Sequence, residues 1–118
     1  MNTRIYLVGF MGSGKSHVGY RLGQQLGLPF LDLDRRIEIE QRKSIRDIFE
    51  QEGADHFRQI ERRVLHDTCY YPPYVIATGG GAPCFFDNMD WMVHHGLTIF
   101  LDVPEDILLE RLSRARAH

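Results

Sequence analysis

The sequence predicts an α/β fold, with parallel strands in one sheet and helices on both of its faces. Two observations carry this reading. Four short apolar runs alternate along the chain with longer segments of helical periodicity. The first run also enters a glycine-rich loop that opens directly into a helix.

Arg4 to Gly9 reads as a short buried strand, and Lys15 to Leu26 as a helix with Val18, Leu22 and Leu26 on one face and Gly27 at its stop. Pro29 to Asp32 is the second strand. Asp34 to Arg42 is charged and weakly periodic, with Ile37 as its apolar anchor, and the charges from Arg35 to Lys43 form a solvated face. Ser44 reads as an N-cap with Asp47 as its capping-box partner, Ile45, Ile48 and Phe49 face inward, and Gly53 ends that helix. A longer helix follows from Asp55 to Tyr70, with Phe57, Ile60 and Val64 inward, and Pro72-Pro73 breaks it. Tyr74 to Thr78 is the third strand and runs into Gly79-Gly80-Gly81. Asp87 or Asn88 caps a helix that places Met89, Trp91 and Met92 in the core and closes at Gly96. Leu97 to Asp102 is the fourth strand. Pro104 then opens a helix with Glu105 and Asp106 in its first turn and Ile107, Leu108 and Leu112 beyond.

No repeat, low-complexity tract or linker divides the 118 residues, so the expectation is one domain over 1–118. Fourteen basic against sixteen acidic side chains give a net charge of −2, which excludes a strongly basic nucleic-acid binder. Without an apolar run of membrane-spanning length or a signal peptide, no membrane role is expected. Cys69 and Cys84 form no CxxC pair, and the six histidines show no metal-ligand spacing. Buried thiols in a reducing compartment, with the cytoplasm as default, are the expectation.

Gly9-Phe10-Met11-Gly12-Ser13-Gly14-Lys15-Ser16 matches GxxxxGK[ST] between a strand and a helix. Glycines let backbone N–H groups converge on phosphate oxygens without a Cβ in the way, and the helix N-terminus adds partial positive charge. Lys15 would reach the β- and γ-phosphates, and the Ser16 hydroxyl would ligate Mg²⁺. A dinucleotide loop is the rival, with Asp32 as its ribose acid, but the spacing is not GxGxxG and such a loop has no need of Lys-Ser.

In a parallel sheet all strand C-termini lie on one edge, where ligands bind. The glycine loop, Asp32-Leu33-Asp34 and Gly79–Gly81 should therefore converge. Alternation puts Asp32 and Asp34 on one side of an extended segment, one facing the metal shell and one an acceptor hydroxyl. The alternative is that Asp34 caps the next helix. Arg58 and Glu61 share a helix face at i, i+3: taken alone a solvated ion pair, or else an arginine oriented to grip a carboxylate. Gly79–Gly81 after a buried strand suggests close backbone approach to a small ligand.

With these residues together, the whole chain resembles the shikimate kinases. The likeness rests on Gly9–Ser16, Asp32-Leu33-Asp34, Gly53 followed by Phe57-Arg58-x-x-Glu61, and Ala77-Thr78-Gly79-Gly80-Gly81. It implies a P-loop three-layer α/β/α fold with a parallel sheet in order 2-3-1-4-5 and transfer of the ATP γ-phosphoryl group to the 3-hydroxyl of shikimate. By the same likeness Gly12, Ser13, Gly14, Lys15, Ser16 and His17 bind the nucleotide, Ser16 and Asp32 serve Mg²⁺, and Lys15 and Asp34 are catalytic. Asp34, Arg58 and the backbone of Gly79, Gly80 and Gly81 hold shikimate, with Glu61 supporting Arg58. Arg111 lies against adenine or, alternatively, is a solvated helix residue. His17 and Ala54 depart from the usual Thr and Glu. Family members continue into a lid, a second carboxylate-binding arginine and a fifth strand, so the chain is expected to be an N-terminal portion, monomeric if complete. The alternatives are a gluconate kinase or other small-molecule P-loop kinase, or a non-catalytic phosphate-binding fragment.

Overall fold

The computed structural model describes residues 3–9, 15–79 and 81–101, with the side chains of Lys15 and Ser16 left aside. Strand β1 (Ile5–Gly9) leads to helix α1 (Lys15–Leu26), then β2 (Phe30–Asp32), α2 (Leu33–Gln41), α3 (Ile45–Glu52) and α4 (Ala54–Asp67). A 3-10 turn, Thr68–Tyr70, precedes β3 (Val75–Ala77); a second, Ala82–Cys84, precedes α5 (Asn88–His95) and β4 (Leu97–Leu101). The strands pair in parallel in the order β2-β3-β1-β4, as expected for the first four strands.

The period-2 geometry of β1 explains the layers. Tyr6 and Val8 point to one face, into a core with Ile37 of α2, Ile48 of α3, Phe57 and Val64 of α4 and Met92 of α5. Ile5 and Leu7 point to the other face, against Val18 and Leu22 of α1 and Val75 of β3. Both faces of β1 are therefore covered, which is why its sequence is uniformly apolar. Each such buried aliphatic side chain contributes about 1.5–3 kcal/mol.

Polar groups fasten the layers. The Arg4 guanidinium donates to the carbonyls of Thr68, Cys69 and Tyr71 at 2.9, 2.6 and 2.9 Å. These carbonyls lie past the end of α4, in and just after the 3-10 turn. The buried Tyr6 hydroxyl meets Thr68 Oγ1 at 2.8 Å, and that hydroxyl donates to Leu65 O. Ser44 caps α3 as predicted, its Oγ accepting the Asp47 N–H at 3.1 Å. Ser44→Ala should cost about 1 kcal/mol, seen as a fall in Tm of about 4 °C in thermal unfolding.

Several expectations need correction. The predicted Asp55–Tyr70 helix ends at Asp67 and tightens into the 3-10 turn that Arg4 holds. Asp87 stands at the N-cap of α5 but makes no capping bond; its Oδ1 accepts from Arg62 Nε at 3.2 Å. The Arg35–Lys43 charges are not wholly solvated: Glu38 Oε2 accepts the Ile45 N–H at 2.9 Å, and Glu40 pairs with Arg63 of α4. Cys69 is half-buried and Cys84 exposed, so the thiols are not the buried pair expected. Trp91 is packed against the core as predicted, and it lies between the His66 and His95 rings, at centroid distances of 4.5 and 4.1 Å. Asp102 and the predicted Pro104 helix lie outside the described residues. No helix among the described residues is long and apolar enough to cross a membrane.

Candidate functional site

The register brings the predicted segments level at one edge. Ala77 stands opposite both Asp32 of β2 and Leu7 of β1. Gly79 and Gly9 each lie two residues further on, so the start of the glycine loop, Asp32 and the Gly79 segment share the C-terminal rim of the sheet. Thr78 continues the pairing, its N–H and Oγ1 both donating to Leu7 O at 3.0 Å. Helix α1 begins at Lys15, at the same rim. A helix N-terminus favours an anion.

Three elements converge on the acceptor half of this rim. Asp34 comes from the first turn of α2, Arg58 and Glu61 from one face of α4, and Gly79 and Gly81 from the segment after β3. Gly79 is buried. A Cβ on it would lie 2.8 and 3.2 Å from the two Asp34 carboxylate oxygens and 3.2 Å from Glu61 Oε2. A Cβ on Gly81 would lie 2.8 Å from Arg58 Nη2. At both glycines the ends of side chains from other elements approach so closely that they would have to shift to admit a Cβ.

The Arg58–Glu61 pair is not solvated. Arg58 Nη1 donates to Glu61 Oε1 at 2.8 Å, and the two side chains are 19% and 1% exposed. Burial pushes the Glu61 carboxyl above its ordinary value; the bond and charge of Arg58 pull it down, Asp34 raises it, and the net displacement is upward. Glu61 Oε2 is buried without a hydrogen-bond partner among the described residues. The Arg58 guanidinium is ringed by aromatics, its Cζ 4.1 Å from the Phe85 centroid, 5.1 Å from Phe57 and 5.8 Å from Phe49. Positive charge held in such a frame suits a carboxylate ligand.

Asp32 and Asp34 do not share a side of an extended segment. The strand stops at Asp32 and α2 starts at Leu33, so Asp34 is helical. The capping role falls to Asp32, whose Oδ1 accepts the N–H groups of Asp34 and Arg35 at 3.1 and 3.3 Å. Helical geometry turns Asp34 toward Gly79. His17 is exposed on α1. Gly12, Ser13, Gly14, Gly80 and Arg111 lie outside the described residues, as do the side chains of Lys15 and Ser16. Sequence reasoning missed Phe85. Its signal was a Phe-Phe pair in a turn after the glycine run, where polar residues are usual.

Comparison with known proteins agrees with this geometry. A family model described as shikimate kinase matches residues 11–117. The chain is 44% identical to a shikimate kinase of Phocaeicola vulgatus, over 97% of this chain and 65% of that protein. It is 47% identical to one of Nostoc sp., over 94% of this chain and 61% of that protein. The crystal structure of the Bacteroides thetaiotaomicron shikimate kinase superposes with a TM-score of 0.85 at 43% identity, covering 96% of this chain and 64% of that one. The Acinetobacter baumannii shikimate kinase in complex with shikimate gives 0.84 at 39%, covering 98% and 65%. A Sinorhizobium meliloti gluconokinase, at 20% identity and a TM-score of 0.50, shares the fold alone. The chain thus spans just under two thirds of the length of the curated relatives it matches.

Proposed function

The chain belongs to the shikimate kinase family, and on that premise we propose that the whole protein transfers the γ-phosphoryl group of ATP to the 3-hydroxyl of shikimate. One observation carries the choice of acceptor: Arg58, held by the buried Glu61, stands beside Asp34 around the Gly79–Gly81 segment. A cation for a carboxylate and an anion for hydroxyls, joined by backbone that lets a ring approach, fit a small polyhydroxylated carboxylic acid.

In this reading Arg58 grips the acceptor carboxylate, the backbone of Gly79, Gly80 and Gly81 lines its ring, and Asp34 orients the attacking hydroxyl and takes its proton. The hydroxyl oxygen bonds to the γ-phosphorus as the bond to the β–γ bridging oxygen breaks, leaving ADP. Lys15 binds the β- and γ-phosphates, Gly12, Ser13, Gly14 and His17 line the phosphate loop, and Arg111 lies against adenine. Ser16 and Asp32 would hold Mg²⁺, which supplies charge neutralisation on the phosphates. The position of Asp32 at the rim fits that role through water, since its Oδ1 already accepts two amides. Catalysis of this kind depends on positioning and charge.

The proposal extends to residues 1–118 as part of one kinase domain of a cytoplasmic protein, monomeric when complete and without nucleic-acid partners; the net charge of −2 supports the last point. Titration calorimetry on the chain with MgADP tests the acceptor. Saturable shikimate binding is expected, together with none for gluconate. Binding of gluconate in preference to shikimate would reject the assignment.

A further inference from the structure

We propose that Phe85 is a positioning residue for Arg58, its ring holding the guanidinium in the orientation that meets the acceptor carboxylate. The inference rests on the acceptor reading of Arg58 given above.

Arg58 is held at one edge by Glu61, through the 2.8 Å bond to Nη1. A single bond of this kind leaves the guanidinium free to swing about the contact. Phe85 removes that freedom, because its ring lies 4.1 Å from Arg58 Cζ, the shortest of the three aromatic contacts. Such a stack combines packing with attraction between the cation and the ring. Gly81 completes the frame, lying so close that a Cβ there would reach Nη2 at 2.8 Å.

The turn that presents Phe85 is built to hold it. Phe85 N–H donates to Ala82 O, and the Asn88 N–H donates to Phe85 O at 3.2 Å. The Asn88 side chain is fully buried, and its Nδ2 donates to Ala82 O at 2.9 Å. Phe86 has a φ of 52°, in the left-handed region a phenylalanine rarely adopts. Backbone held in that region is over-determined by its surroundings. One turn further along α4, Arg62 bonds Asp87 at 3.2 Å and lies 5.8 Å from the Phe86 ring. Two arginines at i, i+4 on α4 are therefore clasped by adjacent residues of one turn. Phe85 itself stays 39% exposed, so core packing does not account for it.

The test uses the 118-residue chain with Phe85→Leu, which removes the ring, and Phe85→Tyr, which keeps it. The NMR signal of the Arg58 Nε–H group reports the stack directly, because a proton above a ring is shielded. Shielding is expected in the wild type and the Tyr variant and should vanish in the Leu variant. An unshielded wild-type signal overturns the proposal. Calorimetry with shikimate should show binding weakened about tenfold by Phe85→Leu and within about twofold of wild type for Phe85→Tyr. A Leu variant that binds like wild type, or a Tyr variant as weak as Leu, also overturns it. A shielded wild-type signal without shikimate binding counts against the acceptor reading and for the stack. Should the Leu variant fail to fold, the wild-type signal and the Tyr variant still decide.

Discussion

Replacing Gly79 with alanine should cost the chain both stability and acceptor binding. The new Cβ would lie 2.8 Å from Asp34 Oδ1 and 3.2 Å from both Asp34 Oδ2 and Glu61 Oε2. Both carboxylates would have to shift to admit it. Asp34 sits in the first turn of α2, fixed by the Asp32 cap, and Glu61 is buried and tied to Arg58. The methyl group would also dehydrate charge that the site keeps for its ligand. Overpacking of this kind costs about 1–3 kcal/mol. The displaced Asp34 and Glu61 should weaken shikimate binding by about tenfold or more, the scale of about 1.4 kcal/mol lost from the site. Gly27→Ala is the control. Gly27 has a φ of 70° with nothing within 4 Å of its Cβ position, so the cost there is conformational, about 1 kcal/mol, and binding should be untouched. Equal binding by Gly79→Ala and wild type in calorimetry would show that the two carboxylates do not frame the acceptor.

The same pair of glycines shows how far the sequence could be read. The order of the sheet follows from the alternation of apolar runs with amphipathic helices, because β1 is covered on both faces and has no polar positions. Convergence of Gly9, where the glycine loop starts, with Asp32 and the Gly79 segment was legible too, since a parallel sheet gathers its strand ends. The local geometry of Asp34 was not. Asp-Leu-Asp reads equally as alternation in a strand or as a strand that turns at its first acid, and the choice is made by Leu33, whose full burial pulls α2 one residue earlier. Burial of Glu61 was hidden for a similar reason. An Arg and a Glu at i, i+3 look alike on a wet or a dry helix face. The dryness comes from Phe57, Ile60 and Val64 of α4 packed beneath and from Gly79 above, a neighbour eighteen residues away in the chain. Phe85 depends on a turn whose shape is set by a buried asparagine and a left-handed phenylalanine, neither of which follows any periodic pattern.

Glu61 should impose a pH dependence that a neutral analogue lacks. The carboxyl is 1% exposed, and its displacement above the ordinary 4.5 is caused first by burial, with the bond from Arg58 opposing and the charge of Asp34 adding to it. Between 4.5 and its raised folded value, the folded chain keeps a proton that the unfolded chain has lost. Stability from this group is therefore full at low pH and declines as pH rises through that window. Glu61→Gln does not titrate and nearly preserves volume, so the stability of wild type relative to the Gln variant should fall as pH climbs from 4.5 through the raised folded value. The carboxylates Glu40, lowered by its bond from Arg63, and Asp87, lowered by that from Arg62, act in the opposite sense on acidification. Both are present in the two chains and cancel in the difference. Glu61→Ala removes volume and counter-charge together. It should cost about 3 kcal/mol at neutral pH, the lower end for breaking a buried pair, because Arg58 retains 19% exposure and can recruit water. Denaturant unfolding of the three chains across the pH series measures both effects. A flat difference between wild type and Gln would mean that Glu61 titrates as a surface acid. A difference that grows in favour of wild type with pH would mean that attraction to Arg58 outweighs burial, and the site would then be held by its ion pair at the pH where it works.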